Sequence, residues 1–199
     1  LRRANTAARG GDESAALAPM NTYGATKAAA DLALGAMAQD GLRVVRMRAF
    51  NHTGPGQTPS FVVPAFARQI ARIGAGLQEP VLSVGNLDAR RDFTDVRDVC
   101  DAYVACIRAG DAVAPGTILN IASGQPRRIA DVLTDLIALG GVAVEVRPDP
   151  SRMRPADLPV THGDSTRAQA LIGWSPARAW PETMRSVMED WQARVRTGE

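Results

Sequence analysis

Residues 22–50 read TYGATKAAADLALGAMAQDGLRVVRMRAF, an Ala-rich segment followed by a short β-branched run. Alanine, leucine and methionine favour a helix over residues 22–38, and the Asn21-Thr22 pair offers an N-cap. The run at 42–50 is typical of a strand. A helix that leads directly into a strand is the repeating element of α/β proteins. This stretch therefore predicts the fold class.

The alternation of helix and strand continues to the end of the chain. Segments of 10–17 residues that favour helices separate short apolar runs, and this spacing favours a largely parallel sheet. Pro64 suits its helix only in the first turn, because proline lacks the backbone N–H that later turns require. The helix at 95–110 is amphipathic, with Val96, Val99, Tyr103 and Ile107 on one face. The predicted helices are 60–74, 95–110, 127–141, 165–173 and 180–195, and the predicted strands are 81–85, 117–122 and 142–148.

Composition and charge exclude several classes of protein. The chain has 199 residues, of which 45% are hydrophobic and 22% are charged, and this suits one large or two small globular domains. The 23 basic residues are scattered among 21 acidic ones, so no basic stripe indicates nucleic-acid binding. No apolar run reaches the roughly 18 residues that span a bilayer, and the first residues lack the apolar core of a signal peptide. We therefore expect a cytoplasmic protein without nucleic-acid or membrane partners, in which Cys100 and Cys106 are buried free thiols.

Lys27 is the single lysine among the 23 basic residues, and it follows Tyr23 by four positions. Residues four apart lie on the same face of a helix, so the hydroxyl and the ammonium can act on one small volume. A neighbouring cation favours the ionised phenol, which suits a tyrosine that acts as an acid or base. The ammonium can also donate a hydrogen bond to a ribose hydroxyl. By itself, however, the pattern Tyr-x-x-x-Lys also occurs in exposed pairs without a chemical role.

Five segments, taken in order, resemble the extended short-chain dehydrogenase/reductase family, the NAD-dependent epimerases and dehydratases. The catalytic helix of that family carries Tyr-x-x-x-Lys. The strand that follows usually ends in Arg-Pro-Phe-Asn, and Ala49 replaces the proline here. The five segments are PMNTYGATKAAADLAL (19–34), VVRMRAFNHTGPGQ (44–57), RRDFTDVRDVCDAY (90–103), LNIASGQPRRIADV (119–132) and DPSRMRPADLPVTHGDSTRAQALIGWSP (149–176).

The resemblance implies a fold as well. It implies an α/β protein with a Rossmann-type, three-layer parallel sheet, of which residues 1–199 form the C-terminal portion of an NAD(P)-binding domain. A small substrate-binding lobe is expected mainly from residues 51–95 and 145–175. The resemblance implies that the Gly-rich cofactor turn and the catalytic Ser/Thr of the family lie upstream of Tyr23. Separately, neither glycine pair, Gly54/Gly56 nor Gly74/Gly76, has the strand–turn–helix setting of a phosphate cradle.

Two motifs narrow the resemblance to enzymes that act on GDP-linked 6-deoxyhexoses. They are NHTGPGQ at 51–57 and Arg-Pro-Ala-Asp at 154–157, followed by Gly-Asp at 163–164. The implied reaction is NADPH-dependent reduction of a 4-keto-6-deoxy GDP-hexose to the 4-hydroxy sugar nucleotide, of the GDP-6-deoxy-D-mannose or GDP-rhamnose type. NADP(H) is the implied cofactor, with NAD(H) as the alternative. Two other functions stay open: a GDP-mannose 4,6-dehydratase or another nucleotide-sugar epimerase/dehydratase, and a truncated GDP-sugar-binding remnant without catalysis.

The resemblance also implies roles for individual residues. Tyr23 would donate a proton to the substrate carbonyl, while Lys27 would favour the phenolate and anchor the cofactor ribose. A homodimer through a helix bundle, built from the helices at 22–38 and 95–110, is implied as well. The implied cofactor-binding residues are Tyr23, Lys27, Phe50 and His52; the implied substrate-binding residues are Asn51, Arg91, Arg154 and Asp157; and no metal site is implied.

Overall fold

A computed structural model describes residues 11–153 and 158–199 of the chain. These residues form six α-helices and eight β-strands, together with single 3-10 turns at Gly110–Ala112 and Pro150–Arg152. The helices are α1 (Thr22–Gln39), α2 (Val62–Gly74), α3 (Val96–Ala109), α4 (Ile129–Gly140), α5 (Thr166–Ile172) and α6 (Trp180–Arg196). The strands are β1 (Arg46–Ala49), β2 (Asn51–Thr53), β3 (Val81–Val84), β4 (Arg90–Asp95), β5 (Ile118–Ile121), β6 (Pro126–Arg128), β7 (Glu145–Pro148) and β8 (Val160–Thr161).

The predicted helices and the four predicted strands are confirmed, with shifted ends. The largest shift is at β1, which begins at Arg46 rather than at 42. Pro64 lies in the first turn of α2, as its missing N–H requires. The strands β2, β4, β6 and β8 were not predicted. Three of them are only two or three residues long, and β4 (RRDFTD) is too rich in charge to show an apolar pattern.

The contacts within the chain divide it into two compact units. Unit 1 comprises the described parts of 1–52, 91–126 and 158–177, and unit 2 comprises those of 53–90, 127–157 and 178–199. The boundaries of the substrate-binding lobe, 51–95 and 145–175, stay a prediction.

Unit 1 contains the pair β1–β5, whose strands are parallel with Arg46 opposite Ile118. The strand β4 pairs with β2 and with β8. A buried apolar cluster lies beside β5 and joins Leu119 and Ile121 to Val99 of α3 and to Trp174. Trp174 follows the end of α5, and its indole N–H donates a hydrogen bond to the carbonyl oxygen of Asp98 at 2.8 Å. The aromatic ring thereby fixes the segment after α5 against α3.

Unit 2 contains the second parallel pair, β3–β7, with Val81 opposite Glu145. The helices α2, α4 and α6 pack against one another, and α2 also packs on β3. Their shared core is fully buried and contains Ile70, Leu82, Leu136, Met184 and Trp191. The parallel strands expected from the helix–strand alternation are thus present in both units.

The two cysteines differ in their exposure to solvent. Cys100 is exposed, so the prediction that both thiols are buried is wrong for this residue. Cys106 is half-buried, and burial raises the pKa of its thiol.

In the part of the chain that the structure describes, no helix is both long enough and apolar enough to cross a membrane.

Candidate active site

Tyr23 and Lys27 lie in the first two turns of α1, on the same face. The side chain of Asn21 caps this helix by accepting a hydrogen bond from the backbone N–H of Gly24 at 2.7 Å. The Lys27 ammonium lies 5.5 Å from the centre of the Tyr23 ring. Both side chains are exposed, and 69% of Tyr23 is accessible to solvent. A phenol and an ammonium are therefore presented together to a space outside the helix.

Phe50, Asn51 and His52 lie where β1 ends and β2 begins. The backbone N–H of Phe50 donates to the carbonyl oxygen of Ile121 at 2.9 Å, which continues the pairing of β1 with β5. The side chains of Asn51 and His52 are exposed, and Nδ1 of His52 is 3.1 Å from the carbonyl oxygen of Phe50. In parallel sheets, ligands collect beyond the carboxyl ends of the strands. The structure therefore places these three residues at the carboxyl end of β1, where ligands of parallel sheets bind.

The half-buried ring of Phe50 packs against the backbone at Gly163. A Cβ atom at position 163 would lie 2.5 Å from Cε2 of Phe50 and 2.7 Å from Cβ of Ala122. Any side chain there would push the ring away, so glycine at this position allows Phe50 to keep its place.

Arg91 lies on β4 and is half-buried. One of its guanidinium nitrogens, Nη1, donates a hydrogen bond to the carbonyl oxygen of Leu158 at 2.7 Å. The adjacent Arg90 is exposed. Arg154 and Asp157, the other two predicted substrate ligands with charged side chains, lie outside the described residues.

Asp92 is a buried residue whose importance the sequence reasoning missed. Its carboxylate is fully buried and accepts four hydrogen bonds. Oδ1 accepts from the backbone N–H and the hydroxyl of Ser123 at 2.8 and 2.5 Å. Oδ2 accepts from the backbone N–H groups of Gly124 and Gly163, each at 3.0 Å. One side chain therefore joins β4, the turn after β5, and the glycine that supports Phe50.

The described residues fit the nicotinamide–ribose end of a dinucleotide cofactor. The Lys27 ammonium has three N–H groups that can donate hydrogen bonds to hydroxyl groups, and the phenol of Tyr23 lies beside it. The turn at Gly54–Gly56 does not provide a second, phosphate-binding part, because the N–H of Gly56 donates to the Asp190 carboxylate at 3.0 Å. Within residues 11–153 and 158–199, no three or more His, Cys, Asp or Glu side chains are grouped so that they could hold a metal ion.

Comparisons with known proteins find relatives that are named as enzymes of nucleotide sugars. A family model described as GDP-mannose 4,6 dehydratase matches residues 5–187. The GDP-6-deoxy-D-mannose reductase of Pseudomonas aeruginosa is 40% identical over 179 residues, which cover 89% of this chain and 58% of that protein. The dTDP-6-deoxy-L-talose 4-dehydrogenase of Kitasatospora kifunensis is 30% identical over 92% of this chain and 56% of its own length.

A solved structure is also similar. The structure of RMD from Pseudomonas aeruginosa complexed with NADPH matches with a TM-score of 0.87 and 35% identity, over 97% of this chain and 63% of that chain. The chain thus spans between 56% and 63% of the length of these three relatives.

Proposed function

The chain belongs to the GDP-mannose 4,6-dehydratase family, and we propose that it serves the NADPH-dependent reduction of a 4-keto-6-deoxy GDP-hexose to the 4-hydroxy sugar nucleotide. Membership confirms the resemblance stated from the five sequence segments, and the match to a solved relative at a TM-score of 0.87 confirms the Rossmann-type α/β class. The observation that carries the proposal is the pairing of Tyr23 with Lys27 at the start of α1.

The choice of reaction follows the relative that is 40% identical, which is a GDP-6-deoxy-D-mannose reductase. A dehydratase is the second candidate, since the matching family model is named for GDP-mannose 4,6 dehydratases. The GDP-mannose 4,6 dehydratase of Cricetulus griseus is less similar, with 24% identity over 70% of this chain. The reductase is therefore the function that we put forward for testing.

In the proposed mechanism, the chain supplies the acid and its electrostatic partner. When bound, NADPH supplies a hydride, and NADH is the alternative donor. Tyr23 donates its phenolic proton to the carbonyl oxygen of the substrate, so the ketone becomes an alcohol and the tyrosine becomes a phenolate. The Lys27 ammonium favours that phenolate by its charge and binds the ribose. Because Tyr23 is exposed, it can regain a proton from solvent.

The remaining proposed roles concern binding. Phe50 and His52 contact the cofactor, while Asn51 binds the sugar nucleotide. Arg91 binds the diphosphate, because a guanidinium can donate to two phosphate oxygens at once. For Arg154 and Asp157, the same function as substrate ligands is proposed from the sequence motif alone.

We also propose that the protein assembles as a homodimer through α1 and α3. Both helices expose large apolar side chains, among them Leu32 and Met37 of α1. On α3, Val99 is buried, whereas Tyr103 and Ile107 of the same predicted stripe are exposed, Ile107 at 79%. Large apolar side chains that face solvent in this way are typical of an interface.

The free thiols Cys100 and Cys106 suit a reducing compartment, and we place the protein in the cytoplasm.

Calorimetry on the isolated chain tests the binding part of this proposal. We expect it to bind GDP more tightly than NADPH, because the described residues offer the cofactor no glycine-rich turn at a helix start. Arg91→Ala should weaken GDP binding about 10- to 150-fold, the loss of one charge-assisted contact. The exposed neighbour is compared through Arg90→Ala, and a larger loss in that variant would assign the diphosphate contact to Arg90 instead of Arg91. Tight NADPH binding without measurable GDP binding would contradict the substrate assignment.

Turnover by an intact protein that contains this chain together with a cofactor-binding part tests the catalytic role. Tyr23→Phe removes the transferable proton but almost no volume, so it should abolish reduction and leave the affinity for GDP unchanged. A variant that keeps more than a few per cent of kcat would remove Tyr23 from the role of acid. GDP binding without any turnover by the unsubstituted protein would favour the non-catalytic remnant.

A further inference from the structure

A mostly buried ion pair joins α1 to β1. The guanidinium of Arg48 binds both carboxylate oxygens of Asp31, with Nε 2.9 Å from Oδ1 and Nη2 2.6 Å from Oδ2. The exposed fractions of the two side chains are 10% for Arg48 and 11% for Asp31. A two-point contact of this kind fixes the orientation of both partners as well as their distance.

Arg46 makes a second attachment from the same strand. Its Nη1 donates to the backbone carbonyl of Asp31 at 3.2 Å and lies 3.4 Å from the Asp31 carboxylate. Its Nε and Nη2 both donate to the carbonyl oxygen of Gly116, at 3.2 and 3.0 Å. Because Gly116 precedes β5, Arg46 connects the middle of α1 to both strands of the parallel pair.

Gly35 makes room for this connection. A Cβ atom at position 35 would lie 2.6 Å from Nη1 of Arg46. Glycine is unfavourable inside a helix, yet Gly35 lies well within the 18 residues of α1. Arg46 is held at both ends of its guanidinium, so a side chain at position 35 would displace it from Asp31 or from Gly116.

Stability alone is a weak explanation for this network. A buried ion pair often contributes no more to folding than apolar residues of the same volume would, because both charges lose their hydration. A two-point ion pair does fix the distance and the orientation of the two elements that it joins. Asp31 follows Lys27 by four residues and Tyr23 by eight, and eight residues of helix span about 12 Å. A tilt of about 5° at Asp31 would therefore move the backbone at Tyr23 by about 1 Å, a displacement that can lower a rate about 100-fold.

We propose that Asp31, held by Arg46 and Arg48, is the positioning residue that sets where Tyr23 and Lys27 stand relative to the sheet. The inference rests on the proposed function of these two residues as the acid and its partner. Asp31 touches neither substrate nor cofactor in this role and acts only through the helix.

Asp31→Asn removes the charge and keeps the shape of the side chain. We expect kcat to fall about 10- to 100-fold, while KM for the GDP-sugar stays within about twofold. The primary deuterium isotope effect on kcat, measured with NADPH deuterated at the transferred hydrogen, should rise because the chemical step becomes slower. A smaller fraction of folded protein would lower the apparent kcat but would leave the isotope effect unchanged.

Amide hydrogen exchange in the ligand-free chain gives a readout that does not depend on activity. With Asp31→Asn, exchange should accelerate in α1 and stay unchanged in α3 and α6. A purely global loss of stability would accelerate exchange in all three helices, and that result would contradict a local positioning role.

Gly35→Ala is the second variant, because alanine favours helix formation and yet displaces Arg46. We expect the same rise in the isotope effect and a loss of kcat of about tenfold or less, since the Arg48–Asp31 contact remains. The matched control is Gly74→Ala, another helical glycine, where the added Cβ would meet only Val142 at 3.5 Å. If Asp31→Asn fails to fold, Gly35→Ala decides the matter.

Besides a uniform acceleration of hydrogen exchange, two kinetic results would overturn the inference. One is unchanged kcat and isotope effect in both variants, and the other is a Gly35→Ala variant that behaves like Gly74→Ala. If the protein loses activity with Tyr23→Phe but tolerates both changes, only the positioning role fails. If Tyr23→Phe is fully active, the proposed function fails first.

Discussion

Asp92→Asn is the substitution whose effect can be worked out most fully from the structure. The carboxylate is fully buried and receives two hydrogen bonds at each oxygen, from Ser123 at Oδ1 and from Gly124 and Gly163 at Oδ2. Asparagine has nearly the same shape, but one of its two terminal atoms is an NH2 donor. If the NH2 faces Gly124 and Gly163, two backbone N–H donors lose their acceptor. If it faces Ser123, only the backbone N–H of that residue does, because the hydroxyl can rotate and accept from the NH2.

The loss amounts to one or two hydrogen bonds to a charged acceptor. Each is worth about 1.5–3 kcal/mol, so we expect the free energy of unfolding to fall by about 1.5–6 kcal/mol. Ser123→Ala removes the hydroxyl that donates to Oδ1 and that accepts from the backbone N–H of Gln125 at 3.1 Å. Its bond to the carboxylate is one of the same kind, so this variant should cost about 1.5–3 kcal/mol.

Urea denaturation followed by tryptophan fluorescence measures both effects. With a slope of about 2 kcal/mol per M, the midpoint for Asp92→Asn should fall by about 0.75–3 M. The control is Asp88→Asn, which removes the charge of an exposed carboxylate that pairs with Arg128 at the surface, and its midpoint should not change measurably. An Asp92→Asn midpoint equal to that of the control would refute the reasoning. A variant that is unfolded without urea would lie at the upper end of the expected range.

Three further predictions concern the catalytic pair, the dimer and the pH dependence of stability. Lys27→Arg should severely impair turnover in a steady-state assay, because a planar guanidinium cannot reproduce the compact ammonium beside Tyr23; near-normal activity would mean that the lone lysine has no special role. Ile107→Glu should reduce the molar mass measured by light scattering at micromolar concentration from dimer to monomer, and a monomeric unsubstituted protein would contradict the interface. A hydrogen bond from Arg194 lowers the pKa of the Glu199 carboxyl, so the stabilisation from this pair is present above the ordinary glutamate value and is lost as the pH falls through the lowered one. Glu199→Gln should therefore make the melting temperature less sensitive to acid below about pH 5, and identical acid sensitivity in both proteins would show that the pair contributes nothing.

The sequence by itself determined most of what is local. Helical composition and capping predicted α1 to within one residue of its observed end, because a helix is built from contacts between residues three or four apart. The same periodicity placed Tyr23 and Lys27 on one face, as the 5.5 Å distance bears out. The alternation of helices with apolar runs predicted parallel strands, since such strands need a long connection between them.

Only the tertiary structure decided which distant residues meet. Asp92 binds groups that lie 31, 32 and 71 positions further along the chain, and Arg48 reaches back 17 positions to Asp31. No periodic pattern encodes such partners, because the path of the chain between them determines whether they come together. The same reason explains why α3 presents Ile107 to solvent while Val99 is buried. A stripe of apolar residues predicts that a helix has an apolar face, but only the position of the helix in the fold decides what covers that face.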